Sequence, residues 1–157
     1  MTTPRTLSAY VESWGRLFER EGLPRTPGRI WGWLLVCDPP EQGTGALCEA
    51  LHLTKGSIST STRLLEKAGL LERRGVPGSR QIHYRVRPDA CERLMDHRLE
   101  SIGLWSAQAE KGLKLVGPGA TELARRLREL HELYSFIARG QTALRRRWHR
   151  RRAAALR

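Results

Sequence analysis

Residues 57–61 hold three serines and a threonine within five positions, and these side chains are well suited to reading another molecule. Each hydroxyl can donate or accept a hydrogen bond. Small side chains also let a helix enter a groove roughly 12 Å wide, such as the major groove of DNA. Lys55 and Arg63 flank the run and could contact phosphate or a guanine edge. The pattern therefore predicts a recognition helix.

The neighbouring sequence predicts that this run belongs to a helix from Thr54 to Ala68. Gly69 is expected to end the helix, since glycine readily adopts the left-handed conformation found there. Ile58, Thr62 and Leu65 recur at helical spacing and are expected to face the core. The opposite, polar face is expected to carry Ser57, Thr60, Ser61 and Arg63.

Further elements are predicted on both sides of the recognition helix. Gly43-Thr44-Gly45 opens a short helix over Ala46–Leu51. Residues 70–73 lead into a hairpin with a Pro-Gly tip at residues 76–79. Its second strand, residues 82–86, alternates apolar and polar side chains, as a half-buried strand does. The order of these elements is that of a helix-turn-helix with a wing.

The wing is basic, which suits contact with a DNA backbone. Arg80 follows the tight turn and is placed to enter the minor groove, and Arg73 and Arg74 could grip phosphates beside it. An ordinary solvated surface is the competing interpretation of each feature taken alone, and their combination favours DNA. The residues assigned to DNA contact are Thr44, Lys55, Gly56, Ser57, Ser59, Thr60, Arg63, Arg73, Arg74 and Arg80.

Aromatic residues are concentrated near the N-terminus. A first helix repeats apolar residues up to Gly22, and a second, apolar helix is expected to start at Thr26-Pro27 and continue through Arg29–Cys37. An effector pocket for a small molecule is one hypothesis for the aromatic side chains. Packing in the core and a dimer interface is the favoured alternative. The four side chains concerned are Trp14, Phe18, Trp31 and Trp33.

The second half of the chain predicts two long, narrow-striped helices separated by Gly117-Pro118-Gly119. The first runs from about Asp89 to Val116 with steps of four and three residues, as in a coiled coil. The second repeats the pattern from Leu123 to Ile137, with Leu144 and Trp148 extending it. Such helices cannot bury a stripe alone, so they are expected to pack on each other or on a second subunit.

The net charge of +12 and pI of about 10.9 favour a polyanionic partner. Much of the charge is at one end, because residues 141–157 hold seven arginines and no acidic residue. This tail is either a frayed, solvated extension or a helical arm that contacts phosphate without reading sequence.

Several function classes find no support in the sequence. No catalytic triad, paired catalytic carboxylates or phosphate-binding glycine loop is evident, so we expect no enzymatic activity. The histidines lack metal-ligand spacing, and no cofactor or metal is expected. Three scattered cysteines indicate a reducing cytosol, with oxidant sensing by Cys37 and Cys48 the minor alternative. No apolar stretch is long enough for a membrane span, and no secretion signal is evident. We expect a cytoplasmic, nucleoid-associated bacterial protein.

The stretches GLPRTPGRIWGWLLVCDPP and GSISTSTRLLEKAGLLERRGVPGSRQIHYRV resemble the MarR-like regulators, most of all the GbsR-type branch. The resemblance implies a dimeric winged-helix repressor whose terminal helices form the dimer interface. The wing departs from the usual Asp-x-Arg, because Gly78-Ser79-Arg80 keeps only the arginine. The implied organisation is an interface helix at 1–22, a DNA-binding domain at 23–88, a dimerisation region at 89–140 and an Arg-rich tail at 141–157.

The sequence therefore predicts a mainly α protein that binds double-stranded DNA as a homodimer and regulates transcription, with a small-molecule effector as a further hypothesis. An architectural protein that coats DNA without sequence preference is the principal alternative, supported by the basic tail. A module that docks another protein through its helices is the third.

Overall fold

The computed structural model describes residues 4–75, 78, 81–116 and 121–155. The chain divides into two compact units between Leu94 and Met95, within one long helix. The predicted mainly helical fold with a small β wing is confirmed. The elements are α1 Pro4–Arg20, α2 Arg25–Leu34, β1 Gln42–Gly43, α3 Thr44–Leu51, α4 Lys55–Lys67, β2 Leu71–Gly75, β3 Ile82–Val86, α5 Ala90–Val116 and α6 Thr121–Ala155.

In the first unit, α1 packs closely against α2 because two glycines of α2 leave room for it. A Cβ on Gly28 would lie 2.6 Å from the backbone oxygen of Trp14, and one on Gly32 would lie 2.6 Å from Cδ1 of the same tryptophan. Val11 and Phe18 of α1 are buried in the core. The first helix is therefore part of the compact unit that contains the helix-turn-helix.

The core of this unit joins α1, α2, α3 and α4 to the sheet. Ile30 of α2, Leu47 of α3 and Ile58 of α4 are fully buried, and Leu65 of α4 is almost fully buried. Tyr84 of β3 closes the core from the sheet side. Burial of these apolar stripes fixes the orientation of α4, whose remaining surface faces solvent.

The sheet is antiparallel with strand order β1-β3-β2. β2 pairs with β3 along its whole length, which confirms the predicted hairpin. β1 consists only of Gln42 and Gly43, which pair with Tyr84 and His83. The sequence analysis missed this strand because two residues show no alternation. Through this pairing, β1 links the start of α3 to the base of the wing.

The start of α2 differs from the prediction. The helix begins at Arg25, with Pro24 in the N-cap position and no side-chain cap, so Thr26 lies inside the helix. Pro27 is tolerated at the third position because the first amides of a helix have no partner within it. The helix also ends earlier than predicted, at Leu34 rather than Cys37.

In the second unit, the described parts of α5 and α6 pair in antiparallel fashion. The hydroxyls of Ser106 and Ser135 are 2.7 Å apart, and Arg145 forms an ion pair with Asp96 at 3.1 Å. α6 continues through Gly140 to Ala155 without a break. The described part of the arginine-rich tail, residues 141–155, is therefore helical, and the phosphate contact of the predicted helical arm stays a prediction.

This pair of helices buries few of its apolar side chains. Ala109 and Ala124 are the buried apolar residues among those described in the unit. No described helix combines the length and the apolar character that crossing a bilayer would require. Large side chains that stay exposed in the single chain include Leu104, Trp105, Leu115, Leu123, Leu133, Phe136, Leu144 and Trp148.

Candidate nucleic-acid interface

α4 begins and ends with well-defined caps, which confirms the bounds expected from the sequence. The Thr54 hydroxyl accepts a hydrogen bond from the Ser57 amide at 3.2 Å and donates to the Ser57 hydroxyl at 3.0 Å. At the other end, Gly69 has φ +70°, and the Leu70 amide donates to the Leu65 carbonyl at 2.9 Å. This capping fixes where the exposed face of α4 begins and ends.

The solvent-facing side of α4 is polar and carries small side chains in its first half. Gly56, Ser59 and Thr60 are exposed, as are Lys55 and Arg63. Ser57 is half-buried because it takes part in the N-cap. A helix face of this composition can approach base edges closely and offer hydroxyls to them.

One residue of the predicted polar face was placed wrongly. Ser61 is buried, and with Ile58, Thr62 and Leu65 it belongs to the side of α4 that faces the interior. The positions 58, 61, 62 and 65 follow the helical repeat of a buried stripe, so spacing alone could have shown this. Thr62 is satisfied within the helix, where its hydroxyl donates to the Ser59 carbonyl at 3.3 Å.

A groove of about 650 Å³ runs between α4 and the N-terminus of α2. The first turn of α2 has no side-chain cap, so its free amides add positive potential there. Arg63 and Lys67 add full charges. The groove lies beside the recognition face, and these charges would attract a phosphate group there. It is lined by Pro24, Thr26, Pro27, Gly56, Ser57, Thr60, Ser61, Arg63, Leu64 and Lys67.

The sequence analysis did not assign Lys67 to this surface. It lies four residues after Arg63 and seven after Thr60, so all three share one helix face. That spacing was a readable signal. The contribution of α2 to the groove could not be predicted from local spacing, because it depends on how two helices pack.

The base of the wing carries an ion-pair network. Arg85 of β3 hydrogen-bonds Glu72 of β2 and reaches Glu41 at 3.2 Å. Arg74 lies 3.5 Å from Glu72 and 3.8 Å from Glu41. The hydrogen bond from Arg85 lowers the pKa of Glu72. The network ties β2 and β3 to the segment before β1, and it engages Arg74, which the sequence analysis had assigned to DNA.

Arg73 and Thr44 have different surroundings from Arg74. Arg73 alternates with Arg74 along β2, is exposed, and has no acidic partner among the residues described. Thr44 is the first residue of α3 and is half-buried. The groove beside α4 does not include it. Arg80, the predicted minor-groove arginine, lies outside the described residues.

Between α4 and the described strands of the wing, free positive charge is concentrated on α4. Lys55, Arg63 and Lys67 are exposed and form no ion pair in the described part of the chain, whereas Arg74 and Arg85 share two carboxylates. An unpaired cation can meet a phosphate without first breaking an internal contact. The electrostatics therefore favour α4 and its groove over the base of the wing as the phosphate-binding surface.

The aromatic side chains proposed for an effector pocket occupy packing positions. Phe18 and Trp31 are buried in the core. Trp14 and Trp33 are partly buried and pack against it. Tyr10 meets Trp14 edge to face at 6.3 Å. These positions support the packing interpretation, which the sequence analysis favoured.

The cysteines and histidines show no arrangement that points to redox or metal chemistry. Burial raises the pKa of the Cys37 thiol, which disfavours the reactive thiolate. Cys48 packs against the same core. Among the described residues, no three His, Cys, Asp or Glu side chains come together as a metal site would require.

Three comparisons with known proteins agree with this architecture. The family of MmpR5-like MarR family transcriptional regulators matches residues 89–151. The HTH-type transcriptional regulator MmpR5 of Mycobacterium tuberculosis (strain ATCC 25618 / H37Rv) is 38% identical over 128 residues, which are 82% of this chain and 78% of the relative. A crystal structure of a transcriptional regulator superposes with a TM-score of 0.76 at 34% identity, covering 92% of this chain and 98% of that one. This chain therefore belongs to the MarR-like family of helix-turn-helix transcriptional regulators.

Proposed function

We propose that this protein is a homodimeric, sequence-specific DNA-binding repressor that reads the major groove with α4. The two recognition helices of the dimer would enter successive major grooves, roughly 34–36 Å apart, on a pseudo-palindromic site. Occupying a promoter would then block transcription. Regulation by DNA binding, without chemistry on a substrate, is the activity proposed.

The observation that carries this proposal is the two-sided character of α4. One side is anchored in the core by Ile58 and Leu65. The other exposes Ser59, Thr60 and Arg63, with no bulky apolar residue in its first half. A helix that is packed against the core on one side and carries small side chains on the other is suited to reading base edges.

Phosphate contacts would set the register of α4 on the duplex. Lys55, Arg63 and Lys67 border the groove or the start of the helix and have no acidic partner among the described residues. We assign Arg73, together with these three residues, to contact with the phosphate backbone of the DNA. Arg74 and Arg85 instead hold the wing in shape through Glu41 and Glu72. Arg80 remains the predicted minor-groove contact.

A second copy of the chain is the partner proposed for the apolar surface of α5 and α6. Phe136 is 70% exposed and Leu133 is 54% exposed in the single chain. Stable proteins rarely leave so many large apolar residues in water. Residues 89–140 would form most of the dimer interface, and α1 would contribute through exposed Tyr10 and Leu17.

A small-molecule effector would act by changing the angle between the two DNA-binding units, and a shift of an ångström or two would misplace both recognition helices. Of the four aromatic side chains considered for the pocket, Trp14 and Trp33 are still partly exposed to such a ligand. Binding should quench tryptophan fluorescence and weaken operator binding. A closer relationship to the GbsR-type branch and a cytoplasmic, nucleoid-associated location stay predictions from the sequence.

The test is selection of preferred sites from random duplexes, followed by affinity measurements at fixed salt. The protein should prefer its selected site over random DNA by about 10³-fold or more. Ser59→Glu combined with Thr60→Glu should abolish that preference while the dimer stays folded, because two carboxylates would face the bases and phosphates. The matched control is Ser59→Thr with Thr60→Ser, which keeps both hydroxyls and should retain binding.

Two outcomes would replace this proposal with its alternatives. Equal affinity for selected and random DNA would support an architectural protein. No DNA affinity at physiological salt would support a module that docks another protein.

A further inference from the structure

The C-terminal part of α6 is the most densely charged helix surface in the described chain. No acidic residue follows Glu132, whereas eight arginines do. α6 remains helical to Ala155, so the seven arginines up to Arg152 lie on a continuous helix. One of them, Arg145, pairs with Asp96 of α5 at 3.1 Å.

The arginines of this segment include a stripe on one side of the helix. Arg139, Arg146 and Arg150 are spaced by seven and four residues and are all exposed. Arg147 and Arg151 extend the positive surface around the helix and are exposed as well. None of these five forms an ion pair with an acidic residue in the described ranges. Their charge is therefore available to a polyanion.

The apolar residues of the same segment lie on the other side. Leu144 and Trp148 are four residues apart, and Trp148 is two residues from both Arg146 and Arg150. Two residues correspond to about 200° around an α-helix. Leu144 and Trp148 continue the stripe that the proposed dimer would cover. The arginine stripe would stay in water even in the dimer.

We propose that residues 139–152 of α6, the arginine arm, form a second DNA-contacting surface, which binds phosphates without reading sequence. The inference rests on the proposed function, since it takes duplex DNA as the partner. The chemistry is that of guanidinium groups on phosphate oxygens. The exposed arginines of the arm that form no ion pair in the described ranges raise affinity for every duplex alike, and each phosphate that is neutralised releases counterions.

The arginine arm adds affinity and α4 adds discrimination. Replacing the arm's charges should therefore weaken binding to the selected site and to random DNA by the same factor. The ratio of the two affinities should not change. The dependence of affinity on salt should become shallower by about 0.9 in log–log slope for each phosphate that the arm no longer neutralises.

The experiment compares full-length variants across a range of salt concentrations, on the selected site and on a random duplex of equal length. The test variant replaces four exposed arginines by glutamine, which keeps good helix propensity. We expect at least tenfold weaker binding to both duplexes and a slope smaller by about two or more. The four positions are Arg139, Arg146, Arg147 and Arg150.

Two control variants and a folding measurement distinguish an effect of the arm's own surface from effects of net charge and of misfolding. A lysine variant at the same four positions keeps the charge and should bind with the wild-type slope. A second variant removes four cations elsewhere in the helical unit and should change the slope much less. Its positions are Lys111, Lys114, Arg126 and Arg128. Circular dichroism should show equal helix content in all variants.

An unchanged slope in the arginine-to-glutamine variant would overturn the proposal. So would an equal loss in the variant with the distant cations removed, because net charge would then explain the effect. Loss of binding to phosphatidylglycerol vesicles with unaltered DNA affinity would assign the arm to a lipid surface instead. A wild-type protein with no preference for any site refutes the proposed function separately, and the slope on random DNA still tests the arm.

Discussion

The first unit, which ends at Leu94 and is the winged-helix unit, and the second, helical unit, which begins at Met95, differ in how far they bury their apolar residues. In the first, Ile30, Leu47 and Ile58 are completely buried within a single chain. In the second, Ala109 and Ala124 are buried, while Phe136 and Leu133 face solvent. Both units are rich in helix, so secondary structure does not cause the difference.

The comparison indicates that the two units have different requirements for stability. The winged-helix unit packs α1 to α4 and a sheet around one core, which holds α4 in place. The helical unit offers a stripe that one neighbouring helix cannot cover. A second subunit would complete it. On the proposed function, the first unit would carry recognition and the second unit would carry most of the assembly.

The largest effect is expected from a cavity in the core of the first unit. Leu47→Ala should lower the free energy of unfolding by about 2–5 kcal/mol, because Leu47 is fully buried among well-packed neighbours. Urea denaturation measures it. Leu35→Ala, at an exposed leucine, is the control and should cost well under half as much. Equal losses at both positions would mean that the core is elsewhere.

In the helical unit, charges on the exposed apolar stripe should act on association rather than on folding. Leu133→Glu with Phe136→Glu should weaken the dimer at least 100-fold, which is about 2.8 kcal/mol. The cause is the removal of two apolar side chains from the interface and the burial of unpaired charge. Sedimentation equilibrium gives the dimer affinity, and Glu129→Gln on the same helix is the control. An unaffected dimer would place the interface on another surface.

A smaller effect is expected where α4 begins. Thr54→Ala removes the side chain that caps the Ser57 amide and should cost about 1 kcal/mol of stability. Thr142→Ala in α6 is matched to it, because that hydroxyl only bonds back to the Ala138 carbonyl. Its change should stay within about 0.5 kcal/mol. Chemical denaturation of both variants tests the difference, and equal values would show that the cap is not stabilising α4.

The smallest effect concerns the junction between β3 and α5. Hydrogen bonds from Arg87 and Arg93 lower the pKa of Asp89 from 3.8 to about 2. A lowered pKa means that the contribution of Asp89 is complete above about pH 4 and is lost as the pH falls towards 2. Asp89→Asn should therefore be less stable than wild type at pH 6, and the gap should close by pH 2. Urea midpoints from pH 2 to 6 measure it; a gap independent of pH would contradict the assignment.

Local sequence signals predicted most of the winged-helix unit. The threonine before α4, the glycine after it and the alternating strand at residues 82–86 define the recognition helix and the wing. The same periodicity should have placed Ser61 in the core, since it lies three residues from Ile58 and four from Leu65. Lys67 could also have been found by helical spacing.

The features that were missed depend on contacts distant in sequence. Glu41 and Arg85 are 44 residues apart, so the network that engages Arg74 has no local signature. The same holds for the groove, which α2 and α4 form together. The prediction for residues 141–157 did not decide between a frayed and a helical form. Gly140 precedes this segment, and one glycine weakens a helix without ending it.

The central claim is that α4 reads base edges, and site selection with a variant of its exposed face tests this most directly. Random duplexes should be selected in parallel with the wild-type protein and with Arg63→Ala. If Arg63 contacts a base, the variant should lose preference at one pair of symmetric positions, with discrimination there reduced by about 1–3 kcal/mol. An identical preferred sequence for both proteins, together with an unchanged preference for the Ser59→Glu, Thr60→Glu variant, would show that α4 does not read the DNA.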